Sequence, residues 1–456
     1  MSSRSAELVA RDLAVVWHPC TQMHDHQTLP MLPIARAQGA WLHGHDGKSW
    51  LDAVSSWWTC LLGHRDPRIV AALKDQLDTL DHVMLAGFTH EPAIDLAEEL
   101  VRIAPRAVGD ARELQRVFYA DNGSSAIEVA LKLSFHYWRN LGRGERTRFI
   151  ALTGGYHGET LGALSVTDIA LYRQTYAPLL LEPIFAPSPD AYQAAPGESP
   201  AQCAQRALAA MRSLLEAHAH EVCAVIVEPL VQCAGGMRMH DASYLTGLRR
   251  LCDEFDVHLI ADEIAVGFGR TGTLFACEQG GIVPDFLCLS KGLTGGTLPL
   301  SAVLTHARVY AAFYAEYAAG KAFLHSHSYT GNPLACRAAL ATLTVLREEP
   351  VLERNRALAA HLAARIAPFA VHPHVADVRQ TGLIAALELV ADKATRTPFP
   401  ASERRGLRVY RHGLDRGVVL RPLGNVVYFM PPYCITPEEI ELMVEVASEG
   451  IERAVT

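Results

Sequence analysis

From about residue 76 to 345, compact apolar runs alternate with stretches of helical period, and this alternation constrains the fold more than any other feature. The runs Arg148-Phe149-Ile150-Ala151-Leu152, Cys223-Ala224-Val225-Ile226-Val227, Val257-His258-Leu259-Ile260-Ala261 and Phe286-Leu287-Cys288-Leu289 are short and nearly continuous in hydrophobicity. They read as strands buried on both faces. The clearest helix between them runs from Ser125 to Trp138, with Ile127, Ala130, Leu131 and Leu133 on one side. Strands alternating with helices predict a mostly parallel sheet covered by helices. The flanks read differently. Residues 1–75 hold short β-like pieces such as Ala40-Trp41-Leu42-His43, broken by Gly39, Gly44 and Gly47. A helical stretch from Ala335 to Leu346 leads into the C-terminal part, which ends in strand-like Gly417–Arg421 and Asn425–Met430 and a helix from Pro437. The expected organisation is an α/β class: a large domain at 76–345 and a smaller α+β domain built from 1–75 and 346–456. The Pro- and Ala-rich stretch 187–200 reads as a surface loop.

At 456 residues the chain is too long for one core, which agrees with more than one domain. A formal net charge of -8 excludes a basic nucleic-acid surface and leaves small molecules or a second copy as partners. The ten cysteines form no C-x-x-C pair, so neither a zinc site nor a disulfide framework is implied, and a reducing cytoplasm is the expected compartment. The N-terminus lacks the apolar stretch of a signal peptide, and no uninterrupted apolar run suits a membrane span. His24/His26, His43/His45 and His325/His327 form no convincing ligand set, so no metal is expected.

Lys291 ends the run at 286–289, and Asp262-Glu263 ends the run at 257–261. In open α/β sheets the ligand crevice lies beyond the carboxyl ends of the strands. A lysine there either snorkels to solvent or, if buried, offers a neutral amine as nucleophile or base. An aspartate after a strand is often only a helix cap. Together they fit a pyridoxal phosphate site, in which the amine holds the aldehyde as a Schiff base and the carboxylate pairs with the pyridine nitrogen.

Other motifs bear on the same reading. Asp121-Asn122-Gly123-Ser124-Ser125 precedes the strongest helix and suits either plain N-capping or a phosphate cup of backbone N–H groups and hydroxyls. Gly154-Gly155-Tyr156-His157-Gly158-Glu159 follows a strand, with glycines that would let an aromatic ring lie flat against a ligand. Gly267-Phe268-Gly269-Arg270-Thr271-Gly272 matches the dinucleotide fingerprint by letter, but no helix clearly opens after it and no acidic strand end follows about twenty residues on. A nicotinamide-dependent dehydrogenase is therefore a remote alternative. In Ser56-Trp57-Trp58, one tryptophan facing a substrate and a plug between domains are equally compatible. Arg421, ending a predicted strand, is either a carboxylate clamp or a surface ion pair.

These segments together resemble class III aminotransferases of the fold-type I pyridoxal phosphate superfamily. The resemblance spans nearly the whole chain and rests on Trp17-His18-Pro19, Ser55-Ser56-Trp57-Trp58, Asn122-Gly123-Ser124, Gly155-Tyr156-His157-Gly158, Asp262-Glu263-Ile264-Ala265, Gly269-Arg270-Thr271-Gly272, Ser290-Lys291 and Gly331-Asn332-Pro333-Leu334. It implies a large domain with a mostly parallel, seven-stranded sheet and a smaller domain formed by both chain ends. It implies Lys291 as the Schiff-base lysine, Asp262 as partner of the pyridine nitrogen, Gly123 and Ser124 on the phosphate, and Tyr156 beside the ring. His327 and Ser328 would reach the cofactor phosphate of a second subunit, making the active unit a homodimer.

The double tryptophan and Trp-His-Pro are most specific to the biotin-pathway branch of the class. That branch implies 8-amino-7-oxononanoate as amino acceptor and S-adenosyl-L-methionine as donor. Trp57, Ser326 and Arg421 would line the substrate pocket, with Arg421 on the acceptor carboxylate. Cys20 stands where many relatives carry a substrate-recognising tyrosine, and His325-Ser326-His327-Ser328 replaces the commoner His-Gly-Pro-Thr. Some relatives with a sequence like His327-Ser328-Tyr329-Thr330-Gly331-Asn332 use lysine as donor. Ala265, where ω-amino-acid aminotransferases usually carry Gln, and the missing acidic residue near Cys233 argue against the remaining alternative, another ω-amine aminotransferase.

Overall fold

The computed structural model describes residues 3–29 and 31–456 and divides into two compact units. The larger comprises 67–357 and 379–384; the smaller comprises 1–66, 358–378 and 385–456.

The larger unit is built on a seven-stranded sheet. In chain order its strands are β1 (Leu114–Ala120), β2 (Arg148–Leu152), β3 (Ile184–Ala186), β4 (Val222–Val227), β5 (His258–Asp262), β6 (Phe286–Leu289) and β7 (Ser301–His306). Their order across the sheet is β1-β7-β6-β5-β4-β2-β3. Only β7 runs against its neighbours, so the sheet is mostly parallel. Every residue of β4, β5 and β6 is buried, which is why these strands read as continuous apolar runs. The helix Gly123–Asn140 covers one face and extends the predicted 125–138 by two residues at each end. Its Trp138 donates its indole N–H to Cys223 O at 2.9 Å, and Ser134 Oγ lies 2.9 Å from His258 Nδ1. Burial lowers the His258 imidazole to about 4, so it packs as a neutral core ring.

Strand pairing sets the site. In the parallel register of β5 and β6, Asp262 lies opposite Cys288, so Asp262 and the Ser290-Lys291 step leave the sheet at the same edge.

In the smaller unit, Ile34–Gln38, Trp41–Gly44, Ser49–Asp52 and Val418–Val419 form one sheet, joining the two ends of the chain. The strand that reaches Asp392 pairs with Val426–Phe429, Ala385 opposite Phe429. The predicted strand 417–421 is only Val418–Val419, so Arg421 lies beyond a strand rather than at its end. Three indoles tie these elements by satisfied N–H groups: Trp41 to Glu439 at 2.6 Å, Trp50 to Leu414 O at 3.0 Å and Trp58 to the Tyr428 hydroxyl at 3.1 Å. Glu439 also completes a capping box with Thr436 at the start of the last helix, Pro437–Val455.

Candidate active site

Lys291 opens a single 3-10 turn after β6 with φ of 45°, a left-handed conformation rare for a side chain with a Cβ. Ser290 before it is pinned, its Oγ donating to Leu300 O at 2.8 Å. Such strain costs on the order of 1–3 kcal/mol and persists only where neighbours over-determine it. Burial holds the Lys291 ammonium below the ordinary lysine range, although Cys233, Asp262 and Glu228 all pull it upward. Lys291 as a residue is half-buried, and the groups whose charge acts on its amine are Cys233, Asp262 and Glu228.

Asp262 is 5% exposed. Its Oδ2 lies 2.8 Å from His157 Nδ1, and its Oδ1 accepts the Ile264 N–H at 3.1 Å. His157 is itself anchored, its backbone N–H donating to Thr167 Oγ1 at 2.9 Å. The aspartate is thus fixed in direction by partners on two sides, and it is no helix cap, because turns rather than a helix come after it. His157 was legible only as part of a glycine-rich turn, since its aspartate lies 105 residues away.

Glu228 is the residue that sequence reasoning missed. One carboxylate oxygen accepts the Tyr156 N–H at 2.9 Å and the other the Cys233 N–H at 3.0 Å, which fastens the 154–158 turn to the loop after β4. Burial first, and the nearby Asp262 charge, push its carboxyl up to about 7 against the pull of His157. The available signal was a carboxylate ending an apolar run, Val227-Glu228, the same signal that singled out Asp262.

The start of the helix at Gly123 is held against the 154–160 segment. Asn122 caps the helix at Gly123, its side chain accepting the Ser125 N–H at 3.0 Å. Ser124 Oγ accepts the N–H groups of Glu159 and Thr160, both at 3.0 Å, and shares a proton with Thr160 Oγ1 at 2.9 Å. A Cβ on Gly158, whose φ is +128°, would lie 2.3 Å from Ser124 Oγ, and one on Gly123 would lie 3.0 Å from Ile264. A side chain at Gly158 would push the turn off the helix start, and one at Gly123 would press on Ile264. Tyr156 lies in that turn, half-buried, with its hydroxyl donating to Glu159 at 2.8 Å.

The other predicted residues are placed separately. Ser326 and Ser328 are exposed on the larger unit, and His327 lies 3.5 Å from Asp121, beside the cup. In the smaller unit the Arg421 guanidinium sits 4.8 Å above the Trp57 ring, and Trp57 is 40% exposed while Trp58 is buried. Trp57 lies in a run of four left-handed residues, Ser55 to Trp58, with φ of 49°, 46°, 69° and 74°. Asp52 clamps that run: it accepts the Ser56 N–H at 3.0 Å and the Ser56 hydroxyl at 2.7 Å. Cys20 is exposed on the same unit. The Gly267–Gly272 stretch opens no helix, and its Arg270 is buried at 1% exposure. It is a packed turn without the helix N-terminus that a dinucleotide needs.

The family model for class III aminotransferases matches residues 21–451. An adenosylmethionine-8-amino-7-oxononanoate aminotransferase of Nitratidesulfovibrio vulgaris is 46% identical over 99% of this chain and 82% of its own length. The crystal structure of the enzyme of that name from Methanocaldococcus jannaschii superposes with a TM-score of 0.92 at 38% identity, covering 98% of this chain and 99% of that one. An omega transaminase from Pseudomonas jessenii, solved in complex with PMP, gives a TM-score of 0.92 at 30% identity over 98% of each chain. With a family match over residues 21–451, and a relative 46% identical over 99% of this chain and 82% of its own length, the chain belongs to the class III aminotransferases.

Proposed function

We propose that this chain transfers an amino group to 8-amino-7-oxononanoate, forming 7,8-diaminononanoate, with S-adenosyl-L-methionine as donor and pyridoxal phosphate as cofactor. The observation that carries the reading is the 46% identity, over nearly the whole chain, to a protein named for those two substrates. The cofactor fits the residues on chemical grounds. A low-pKa amine, a buried and oriented carboxylate, and a helix N-terminus cleared by glycines offer one partner each for an aldehyde, a pyridine nitrogen and a phosphate. A relative solved in complex with PMP, an aminated pyridoxal phosphate, supports this.

When bound, pyridoxal phosphate supplies a ring that withdraws electrons from the substrate carbon. Lys291 Nζ would hold the cofactor at rest and, once released by the incoming amine, carry the proton to and from that carbon. Asp262, steadied by His157, would keep the ring nitrogen protonated. Gly123 and Ser124 would hold the phosphate with Thr160, and Tyr156, fixed through Glu228, would wall the ring. Arg421, stacked on Trp57, would take the acceptor carboxylate. His327 and Ser328 would complete the phosphate site of a second copy, and Ser326 and Cys20 would border the substrates. Exposed Tyr314, Tyr317, Leu324 and Tyr329 on the larger unit offer that second copy an apolar surface.

Incubation of the purified protein with pyridoxal phosphate, 8-amino-7-oxononanoate and each candidate donor tests the reading. Mass spectrometry is expected to find 7,8-diaminononanoate with S-adenosyl-L-methionine. Product with lysine alone reassigns the donor; no product with either, but turnover of ornithine or putrescine, overturns the acceptor as well. For Arg421→Ala, loss of a charge-assisted contact worth about 1.5–3 kcal/mol raises KM for the acceptor roughly 10- to 150-fold and leaves donor KM nearly unchanged. Equal shifts in both constants would remove Arg421 from the acceptor carboxylate.

A further inference from the structure

The strained turn carrying Trp57 continues into a second chemical arrangement that the aminotransferase reading does not use. Cys60 Sγ lies 3.6 Å from His64 Nδ1, and His64 Nε2 lies 2.9 Å from Asp52 Oδ2. Asp52 is the carboxylate that also holds Ser56, so its direction is fixed by the same contacts that hold the left-handed run. The order thiol, imidazole, buried carboxylate is the one that activates a thiol nucleophile: the carboxylate orients the ring and the charged ring favours the thiolate. Burial works against a charged imidazole here, but the hydrogen bond to Asp52, and then Cys60, push His64 up to about 10.

The other cysteines differ in kind. Cys20 and Cys434 are exposed. Cys203, Cys223, Cys233, Cys252, Cys277, Cys288 and Cys336 are buried, and burial raises every one of these thiols, which keeps them protonated and inert.

We propose that Cys60 is a redox-modification site, oxidised by hydroperoxides to a sulfenic acid with His64 as its proton partner. The His64 ring, raised to about 10, already carries its proton, so Cys60 loses its own to solvent and reacts as a thiolate facing the imidazolium, and His64 regains from solvent the proton that it gives up below. The sulfur then attacks one peroxide oxygen, an S–O bond forms and the O–O bond breaks. Sulfur gives up two electrons, and the departing hydroxide takes the proton from His64 and leaves as water. The thiol and one hydrogen peroxide thus give one sulfenic acid and one water. At 7% exposure Cys60 admits a small oxidant better than a bulky electrophile.

The test exposes the intact holoenzyme to hydrogen peroxide for graded times, removes the peroxide with catalase, then denatures and alkylates every remaining thiol. Peptide mass spectrometry gives the oxidised fraction at each cysteine. Cys60 is expected to oxidise at least tenfold faster than Cys20 and Cys434 at pH 6, and dithiothreitol is expected to reverse it. In His64→Gln the Cys60 rate falls at least tenfold while Cys20 and Cys434 keep theirs. A Cys60 rate no faster than that of the exposed cysteines, or unchanged in the variant, overturns the proposal. Should His64→Gln not fold, the pH profile of the unmodified protein decides. A paired thiolate keeps its rate within about threefold between pH 8 and pH 6, whereas an ordinary thiol of pKa about 8.5 slows by roughly 80-fold. The second profile at Cys60 would equally overturn the assignment.

Discussion

Lys291→Ala is expected to lower the formation of 7,8-diaminononanoate by at least about 10⁴-fold, because it removes both the anchor of the cofactor and the group that moves the substrate proton. Arg270 also acts on Cys233, but as a guanidinium it cannot serve as a base at neutral pH. The variant is expected to fold. Lys291 sits in a single 3-10 turn at the sheet edge, and alanine at φ of 45° meets the same backbone strain as lysine, with no new clash. Removing an amine on which the Glu228 and Asp262 charges act takes away a favourable contact, so a modest change in melting temperature is acceptable. Borohydride treatment supplies the second readout. It is expected to fix pyridoxal phosphate covalently on the unmodified protein at the peptide containing Lys291 and to fix none on the variant. Activity above one hundredth of the original, or labelling at another lysine, would defeat the assignment of Lys291.

The frame of this site was legible because burial on both faces leaves a short, unbroken apolar run for each central strand, and the residues just after such a run sit at the ligand edge. Lys291 and Asp262 stand just beyond such runs. The strands Leu114–Ala120, Ile184–Ala186 and Ser301–His306 were not, for physical reasons. In Leu114–Ala120, polar Gln115 and Arg116 interrupt the apolar residues, with exposed positions along an edge strand. Ile184–Ala186 is three residues long and lies at the other edge. Ser301–His306 is buried throughout yet begins and ends with polar residues; the Thr305 hydroxyl donates to Asp285 O, and His306 Nδ1 lies 3.0 Å from Glu113 O. The contacts that aim the site were equally out of reach. His157 to Asp262, Glu228 to Tyr156 and Lys291 to its acidic neighbours join segments that only the parallel register brings together. The dinucleotide-like string at 267–272 shows the reverse case. Its letters match, but a phosphate site depends on a helix N-terminus that the structure does not form there. The left-handed run at 55–58 is also unreadable from sequence, since Ser and Trp are not the residues that ordinarily take positive φ.

Asp262→Asn separates charge from shape at this site. Asparagine keeps an oxygen for the Ile264 N–H and another polar atom toward His157, so the volume and most of the hydrogen bonding survive. What disappears is the negative charge that would keep the ring nitrogen of the cofactor protonated, and with it the stabilisation of negative charge on the substrate carbon. The expected result is a fall in kcat of about 10³-fold, with KM for 8-amino-7-oxononanoate changed by no more than a few-fold, because the substituted group never touches the substrate carboxylate. Loss of the anion leaves Glu228 as the carboxylate nearest to His157 and Lys291, and removes a charge that had been raising the Glu228 carboxyl. Glu228 then ionises more readily and still draws the Lys291 ammonium upward. It cannot take over the ring nitrogen, since both its oxygens are committed to the Tyr156 and Cys233 N–H groups. A kcat within tenfold of the original would show that the charge is supplied elsewhere. A parallel collapse of kcat and of the folded state would point to a structural ion pair with His157. Only a large kcat loss in a protein of unchanged melting temperature assigns Asp262 to the chemistry.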